Sequence, residues 1–111
     1  MRGIRGGFWR NLLNLISPST SVTSSPYTTL SSDKLILVNS AEATTINLVA
    51  AASFTYQYLT IKDISGNASR YNITIDGNSS ETIDDSTTYV MKVDYESVTL
   101  YSDGTEWWII Y

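Results

Sequence analysis

The chain has 111 residues, which suits one small domain, and it contains no Cys and no His. These absences exclude disulfides, zinc sites with the usual ligands, thiolate nucleophiles and imidazole general bases. Charged residues make up 16% of the chain, below the roughly 25% that is typical, and Ser and Thr replace them. With eight Tyr and three Trp, this composition favours β-structure.

The net charge of −4 is divided unevenly along the chain. Residues 1–16 carry three Arg and no acidic residue, whereas the rest of the chain carries a net charge of −7. Such asymmetry predicts a basic arm that contacts a partner and an acidic body that stays soluble.

The arm, residues 1–16, has the pattern of a short amphipathic helix. Trp9, Leu12, Leu13 and Ile16 recur at i, i+3, i+4 and i+7, and Ser17-Pro18 ends the pattern. A helix this short is unstable alone, so we expect it to form against another surface. The predicted contact residues are Arg2, Arg5, Phe8, Trp9, Arg10, Leu12, Leu13 and Ile16.

Several partners of the arm can be compared. The run Leu12–Ile16 is too short, and too polar at Asn14, for a secretory signal. One short helix would bind a membrane weakly, and three Arg are few for nucleic acid. Docking on another protein is favoured, since Trp and Arg dominate interface energies, and the alternative is packing on the chain's own β-body.

Residues 17–32 contain seven Ser, four Thr and both Pro of the chain. A segment this polar has little apolar surface to offset the entropy lost on ordering. It predicts an extended linker that could reach about 50 Å when fully stretched. We therefore divide the chain into an arm (1–16), a linker (17–32) and a head domain (33–111).

The head has short apolar runs separated by turn signals such as Ser65-Gly66-Asn67, Asp76-Gly77-Asn78 and Asp103-Gly104. Asp103-Gly104 indicates a hairpin. Several runs alternate between apolar and polar residues, which is typical of a sheet with one buried face. These features predict an all-β, antiparallel sandwich or barrel with eight strands, at 35–38, 45–50, 58–64, 72–75, 81–83, 89–93, 97–102 and 105–111.

The carboxylates of the head sit at or beside predicted turns. Asp76 and the pair Asp84-Asp85 lack the spacing of a calcium loop, so turn chemistry is the better interpretation. A glycosidase would need two carboxylates across a cleft, which so small a body could hardly frame. We therefore predict no metal, no cofactor and no enzymatic activity.

The C-terminal aromatic residues are candidates for a subunit interface. Trp107 and Trp108 are adjacent, so in a strand they point to opposite faces. If Trp107, Ile109 and Tyr111 face the core, Trp108 and Ile110 would form an apolar surface patch. A sugar-binding platform is the alternative to an interface. The predicted interface residues are Tyr101, Trp107, Trp108, Ile109 and Ile110.

The stretch from Tyr58 to Ile110 contains YLTIKDISGNAS, NITIDG, SETID and YVMKVDYESVTLYSDGTEWWII. This combination resembles a small β module of tailed-bacteriophage structural proteins, found in tail fibres and in capsid cement or decoration proteins. The resemblance covers residues 35–110 and departs from the pattern at Asn47–Ala50, where a proline is expected after the leucine. It implies an intertwined homotrimeric head without enzymatic activity.

An arm, a linker and a head suit a cement protein better than a fibre, which needs a shaft. We therefore expect a capsid decoration protein at the virion surface, whose arm binds the major capsid protein and whose head is a homotrimer. Neither nucleic acid nor a membrane is an expected partner. The alternative is a short head fibre or tail adhesion protein that binds host glycans through exposed Tyr and Trp.

Overall fold

The computed structural model describes residues 19–111, and the predicted all-β character is confirmed for them. One short 3₁₀ helix, Ala51–Ser53, lies between strands β4 and β5. The described residues contain nine strands: β1 Ser19–Val22, β2 Tyr27–Thr28, β3 Leu35–Val38, β4 Thr44–Asn47, β5 Tyr58–Asp63, β6 Ile73–Asp76, β7 Thr88–Met91, β8 Ser97–Ser102 and β9 Trp107–Ile109.

The strands form a five-stranded sheet, in the order β1-β3-β5-β8-β9, and a four-stranded sheet, in the order β2-β4-β6-β7. The first six strands alternate between the two sheets, so the chain winds as a coil of three turns. Strands β7, β8 and β9 then pair antiparallel with their neighbours, and β8 and β9 form the hairpin expected at Asp103-Gly104.

The prediction of an antiparallel sandwich is wrong for the coil, because β1, β3 and β5 are parallel, as are β2, β4 and β6. The physical reason is the path of the chain. Each of the strands β1 to β5 is followed by one in the other sheet, and the chain returns to the first sheet running in its original direction. Neighbours in one sheet therefore point the same way. Both sheets are mixed.

Residues 19–32 belong to the domain, so the prediction of a linker up to Ser32 and a head from residue 33 is wrong for them. Val22 is buried, and Val22 pairs with Val38 in the sheet. The buried carboxylate of Asp33 accepts hydrogen bonds from the hydroxyls of Thr20 and Tyr27, each at 2.7 Å. The entropy lost when this segment becomes ordered is offset by the sheet pairing and by these hydrogen bonds. Its polar composition alone would not have offset that loss.

The core lies between the sheets and follows the alternation seen in the sequence. In β5, Leu59 and Ile61 are buried, and in β6, Ile73 and Ile75 are buried. The register aligns buried residues on neighbouring strands, for example Ile36 with Ile61. The predicted strand at 81–83 is not formed, since only Ile83 makes isolated bridges there.

Candidate functional site

The five-stranded sheet has one side that faces away from the core. This side carries most of the large side chains that the two sheets expose. Leu59 and Ile61 point inward, so Tyr58, Thr60 and Lys62 point outward. The same alternation on the other strands defines the outer face: Ser19, Ser21, Leu35, Leu37, Tyr58, Thr60, Lys62, Ser97, Thr99, Tyr101, Trp108 and Ile110.

The register brings three aromatic residues into one row across the outer face. Tyr58 lies opposite Tyr101, and Tyr101 lies opposite Trp108. The ring centroids of Tyr58 and Tyr101 are 5.0 Å apart with planes tilted by 51°. This distance is within the range of favourable aromatic pairs. The three residues therefore form an aromatic row over β5, β8 and β9, in which the rings of Tyr58 and Tyr101 are paired.

A second row beside the aromatic one carries two hydroxyls at its centre, with an apolar residue on either side of them. Leu35 lies opposite Thr60, and Thr60 lies opposite Thr99, with their Oγ1 atoms 2.9 Å apart. The backbone N–H of Ile110 donates to the carbonyl of Thr99 at 2.8 Å, which places Ile110 at the end of this row. One threonine hydroxyl donates to the other, so only the O–H of the accepting threonine still needs an acceptor at the centre of the face.

The outer face is uncharged except for Lys62, although the described body is acidic. The exposed fractions of Tyr58, Trp108 and Ile110 are 55%, 37% and 44%. The opposite surface of the molecule is different. The outward residues of the four-stranded sheet are Thr28, Thr45, Asn47, Thr74, Asp76, Thr88 and Val90, of which only Val90 is apolar.

The β8–β9 hairpin sets the orientation of Trp108. Its indole N–H donates a 2.8 Å hydrogen bond to Oδ2 of Asp103, while Oδ1 of Asp103 accepts from the N–H groups of Thr105 and Glu106. The backbone N–H of Glu106, followed by the Trp108 indole, lowers the pKa of the Asp103 carboxyl. A carboxylate in the turn therefore fixes the indole at the margin of the outer face.

The structure divides the five residues predicted at the trimer interface. Tyr101, Trp108 and Ile110 lie on the outer face. Trp107 and Ile109 lie on the inner side, where Ile109 packs against the core and Trp107 is fully buried with its ring centroid 5.3 Å from that of Phe54. The interface prediction is corrected for Trp107, because the residue's own domain already covers its indole.

Two further differences concern the same surface. Tyr111, expected to face the core, is 83% exposed. Tyr58, Leu35 and Leu37 join the outer face although the sequence did not single them out as interface residues. Their place in alternating strands was visible, but the register that sets Tyr58 beside Tyr101 depends on pairing between distant strands.

The arm and its predicted contact residues, Arg2 to Ile16, lie outside the described residues, as do Ser17 and Pro18. The structure still bears on the reach of the arm. Strand β1 begins at Ser19, so two residues separate Ile16 from the edge of the five-stranded sheet. The reach of about 50 Å expected from a 16-residue linker is reduced to two residues, about 7 Å.

A second cluster surrounds Asp63, which is fully buried at the end of β5. Its carboxylate accepts hydrogen bonds from Ser65, Gly66, Ala68 and Tyr95. Burial raises the pKa of Asp63, but the bonds from the Ser65 side chain and from the backbone of Tyr95, Ala68 and Gly66 outweigh it, so the pKa is lowered. The arrangement joins two loops and leaves no lone pair directed at solvent.

Asp84 and Asp85 are turn residues. Asp84 and Asp85 both have positive φ, 49° and 66°, and Oδ1 of Asp84 accepts from the N–H of Ile109 at 3.0 Å. Within residues 19–111, no group of three or more acidic side chains is placed to hold a metal ion, and no pocket is formed. No helix in this part of the chain is long and apolar enough to cross a membrane.

The comparisons with known proteins add no relative. No protein-family model matches the sequence, and no curated protein matches it significantly.

Proposed function

We propose that the chain is a non-enzymatic capsid decoration protein of a tailed phage, which attaches to the major capsid protein through its arm and associates as a homotrimer. The observation that carries the proposal is the outer face of the five-stranded sheet. It presents an aromatic row, Tyr58, Tyr101 and Trp108, on a surface with one charged group. The resemblance of residues 35–110 to phage β modules supports the viral setting.

The distribution of charge supports self-association through this face. Copies of a body with a net charge of −7 repel each other over most of their surfaces. The outer face carries no carboxylate among its outward residues, so copies could meet there without like-charge contacts. Aromatic residues near the centre of a patch are typical of interfaces.

The short connection between the arm and β1 supports a close fit to the shell. With two residues between Ile16 and Ser19, an arm bound to a capsid subunit would hold the domain directly on that subunit. The domain would then act as a clamp at the shell surface rather than as a tethered head.

The test measures location and attachment together. In purified virions, quantitative mass spectrometry should find the protein in proportion to the shell subunits rather than to the tail subunits. The triple variant Arg2→Glu, Arg5→Glu, Arg10→Glu should lose binding to emptied shells that lack the protein, while its circular dichroism spectrum is unchanged. Stoichiometry equal to that of the tail, or undiminished shell binding, would refute the proposal.

The alternative is an adhesion protein that binds host glycans, and the aromatic row favours it as the second candidate. Exposed Tyr58 and Trp108 could stack on sugar rings, with Asp103 nearby as an acceptor. In that case the wild type should bind host polysaccharide on an array, and Trp108→Ala should weaken this binding without changing the sedimentation coefficient. Loss of self-association in Trp108→Ala, without any glycan binding by the wild type, favours the interface instead.

A further inference from the structure

The cations of the described chain are concentrated at one end of the sandwich. Strands β3 and β5 end side by side there, since Val38 pairs with Asp63. We call the segments at this end, residues 62–71 and 92–96, the basic tip. Lys34 lies at the opposite end, before β3, and the other three basic residues of the described chain belong to the tip: Lys62, Arg70 and Lys92. A body with a net charge of −7 therefore carries a cluster of cations at one end.

The carboxylates of the basic tip are directed at its own backbone. Asp63 is buried and accepts the hydrogen bonds described above. Asp94 and Glu96 accept hydrogen bonds of 2.9–3.1 Å from backbone N–H groups of the two segments. Arg70 and Lys92, in contrast, are exposed. The acidic groups thus hold the segments in place, while these cations face solvent, where an anion can reach them.

The ring of Tyr95 is a supported platform within the basic tip. A Cβ added at Gly66 would lie 2.4 Å from Cζ of Tyr95, 2.6 Å from its hydroxyl oxygen and 2.7 Å from Cε2. Since the last two atoms are both bonded to Cζ, such similar distances place this Cβ above the ring plane, so Gly66 covers one face of the ring. Tyr95 is 60% exposed, so the other side of the ring is open.

The backbone of Tyr95 is held in a conformation that this residue type rarely adopts. Its φ is 64°, in the left-handed region, and its N–H donates to the buried carboxylate of Asp63. Strained backbone of this kind persists only where the surrounding structure enforces it, and it is concentrated at functional sites. The fixed ring therefore points to a ligand that uses it.

Two cations lie beside aromatic rings in the basic tip. Nζ of Lys62 is 5.8 Å from the ring centroid of Tyr95 and donates a hydrogen bond to the carbonyl of the same residue. The guanidinium of Arg70 is 5.1 Å from the ring centroid of Tyr71. A ring next to a cation fits a ligand that has a flat apolar side and a negative charge.

We propose that the basic tip binds an anionic polysaccharide, with one sugar ring stacked on Tyr95 and negatively charged substituents beside Lys62, Arg70 and Lys92. A sugar ring presents C–H groups on one side and carries its charged groups at the edge, which matches the platform and the cations around it. An acidic peptide would use the cations but not the platform. The site goes beyond capsid attachment and does not depend on it.

The position of the basic tip is compatible with self-association and with attachment. Tyr58 of the aromatic row begins β5 and the tip adjoins its last residues, about 17 Å away at 3.3 Å per residue. Copies that meet through the aromatic row therefore leave the tip open. Strand β1 starts at Ser19 and runs parallel to β3 and β5 towards the tip, so the preceding chain joins the domain at the other end.

The experiment measures binding of sugar chains to the full-length protein in solution by isothermal titration. The probe is an oligomer of galacturonic acid, which has one carboxylate per ring. One control is a glucose oligomer of the same length, and the other is an oligoglutamate with the same number of carboxylates. The wild type should bind the galacturonate oligomer about tenfold more tightly than either control, because only this oligomer offers both rings and charges.

Tyr95→Gly should weaken binding of the galacturonate oligomer about fivefold. Glycine adopts a positive φ without strain, so this variant removes the ring while the loop keeps its path. Tyr56→Gly is the matched control, since Tyr56 has a φ of 63°, is 73% exposed and lies before β5 at the opposite end. This control should bind as the wild type does.

The cations are tested with variants that each remove one positive charge. Arg70→Gln should weaken binding about fivefold. Lys34→Gln makes the same change in charge at the opposite end of the domain and should leave binding unchanged.

Absence of binding by the wild type would overturn the proposal. Equal binding of oligoglutamate would also overturn it, since charge alone would then be recognised. If Trp108→Ala weakens binding and Tyr95→Gly does not, the sugar lies on the outer face instead. Shell binding is measured on the same proteins, and Tyr95→Gly should retain it. If the galacturonate oligomer binds as expected while the wild type does not bind shells, the proposed function fails and the polysaccharide site stands.

Discussion

The backbone N–H of Tyr95 donates a 3.0 Å hydrogen bond to Oδ2 of Asp63, 32 positions earlier in the chain. The bond joins the end of β5 to the loop before β8. Tyr95 has a positive φ of 64°, and its ring lies on Gly66, where a Cβ would overlap it. One buried carboxylate therefore holds two loops at the same end of the sandwich.

Asp63→Asn should destabilise the domain by about 3 kcal/mol, because the amide replaces an acceptor oxygen with an NH₂ group that faces backbone donors. The measurement is urea unfolding followed by tryptophan fluorescence. Asp94→Asn is the matched control, since Asp94 is exposed and accepts one bond, from the N–H of Ser69. A similar loss of stability in both variants would contradict the central role of Asp63.

Stability should decrease in acid. The native pKa of Asp63 lies below the ordinary value of 3.8. The ionised carboxylate therefore stabilises the fold at pH values above that value, and the contribution is lost as the pH falls through the native pKa. Urea midpoints between about pH 6 and pH 2 should decline less steeply in Asp63→Asn than in the wild type. Parallel curves would show that other carboxylates cause the decline.

Stability should also decrease in strong alkali. Burial and the bond to Asp33 raise the pKa of Tyr27 to about 12, and the bond to Glu96, with burial, raises that of Tyr89 to about 12, both from 10.0. For a raised pKa the contribution is complete below pH 10 and is lost as the pH rises towards 12.

The alkaline effect can be assigned with single substitutions. Tyr27→Phe and Tyr89→Phe should each reduce the loss of unfolding free energy over this pH range, because each removes one of the two phenols that ionise. Tyr56→Phe alters an exposed ring and serves as the control. If the control flattens the curve as much as the other two variants, the assignment to Tyr27 and Tyr89 is wrong.

The two adjacent tryptophans should differ in how much stability is lost when each is truncated. Trp107→Ala removes a fully buried ring that packs on Phe54 and should cost about 3–5 kcal/mol of unfolding free energy. Trp108→Ala should cost below about 1 kcal/mol, since its ring is partly exposed and loses one bond to Asp103.

The readouts for this pair are chemical denaturation and sedimentation at several protein concentrations. Trp108→Ala should weaken self-association while it leaves the fold intact, and the more conservative Trp107→Phe should leave self-association unchanged. Weakened association in Trp107→Phe alone would place the interface elsewhere than on the outer face.

Much of the local structure was predictable because its causes are local. Alternation in Tyr58–Asp63 and Ser97–Ser102 follows from the two-residue period of a strand, and both strands are present. The Asp103-Gly104 turn was predictable because Asp-Gly favours a tight hairpin turn, in which glycine accepts a positive φ. Gly104 adopts a φ of 95°. Nothing local indicated that Ser19–Val22 would be a strand, since its stability depends on pairing with Leu35–Val38.

The sequence by itself determined the all-β composition, the alternation of faces within strands such as Tyr58–Asp63 and Ser97–Ser102, the Asp103-Gly104 turn and the separation of a +3 arm from a −7 body. Only the tertiary structure decided that the first six strands wind as a parallel coil, that residues 19–32 belong to the domain, and that Trp107 is buried while Trp108 joins Tyr58 and Tyr101. The physical reason is the distance along the chain between the residues that interact. Side-chain alternation and turn geometry depend on neighbouring residues, whereas strand order and register depend on hydrogen bonds and packing between segments far apart in the chain.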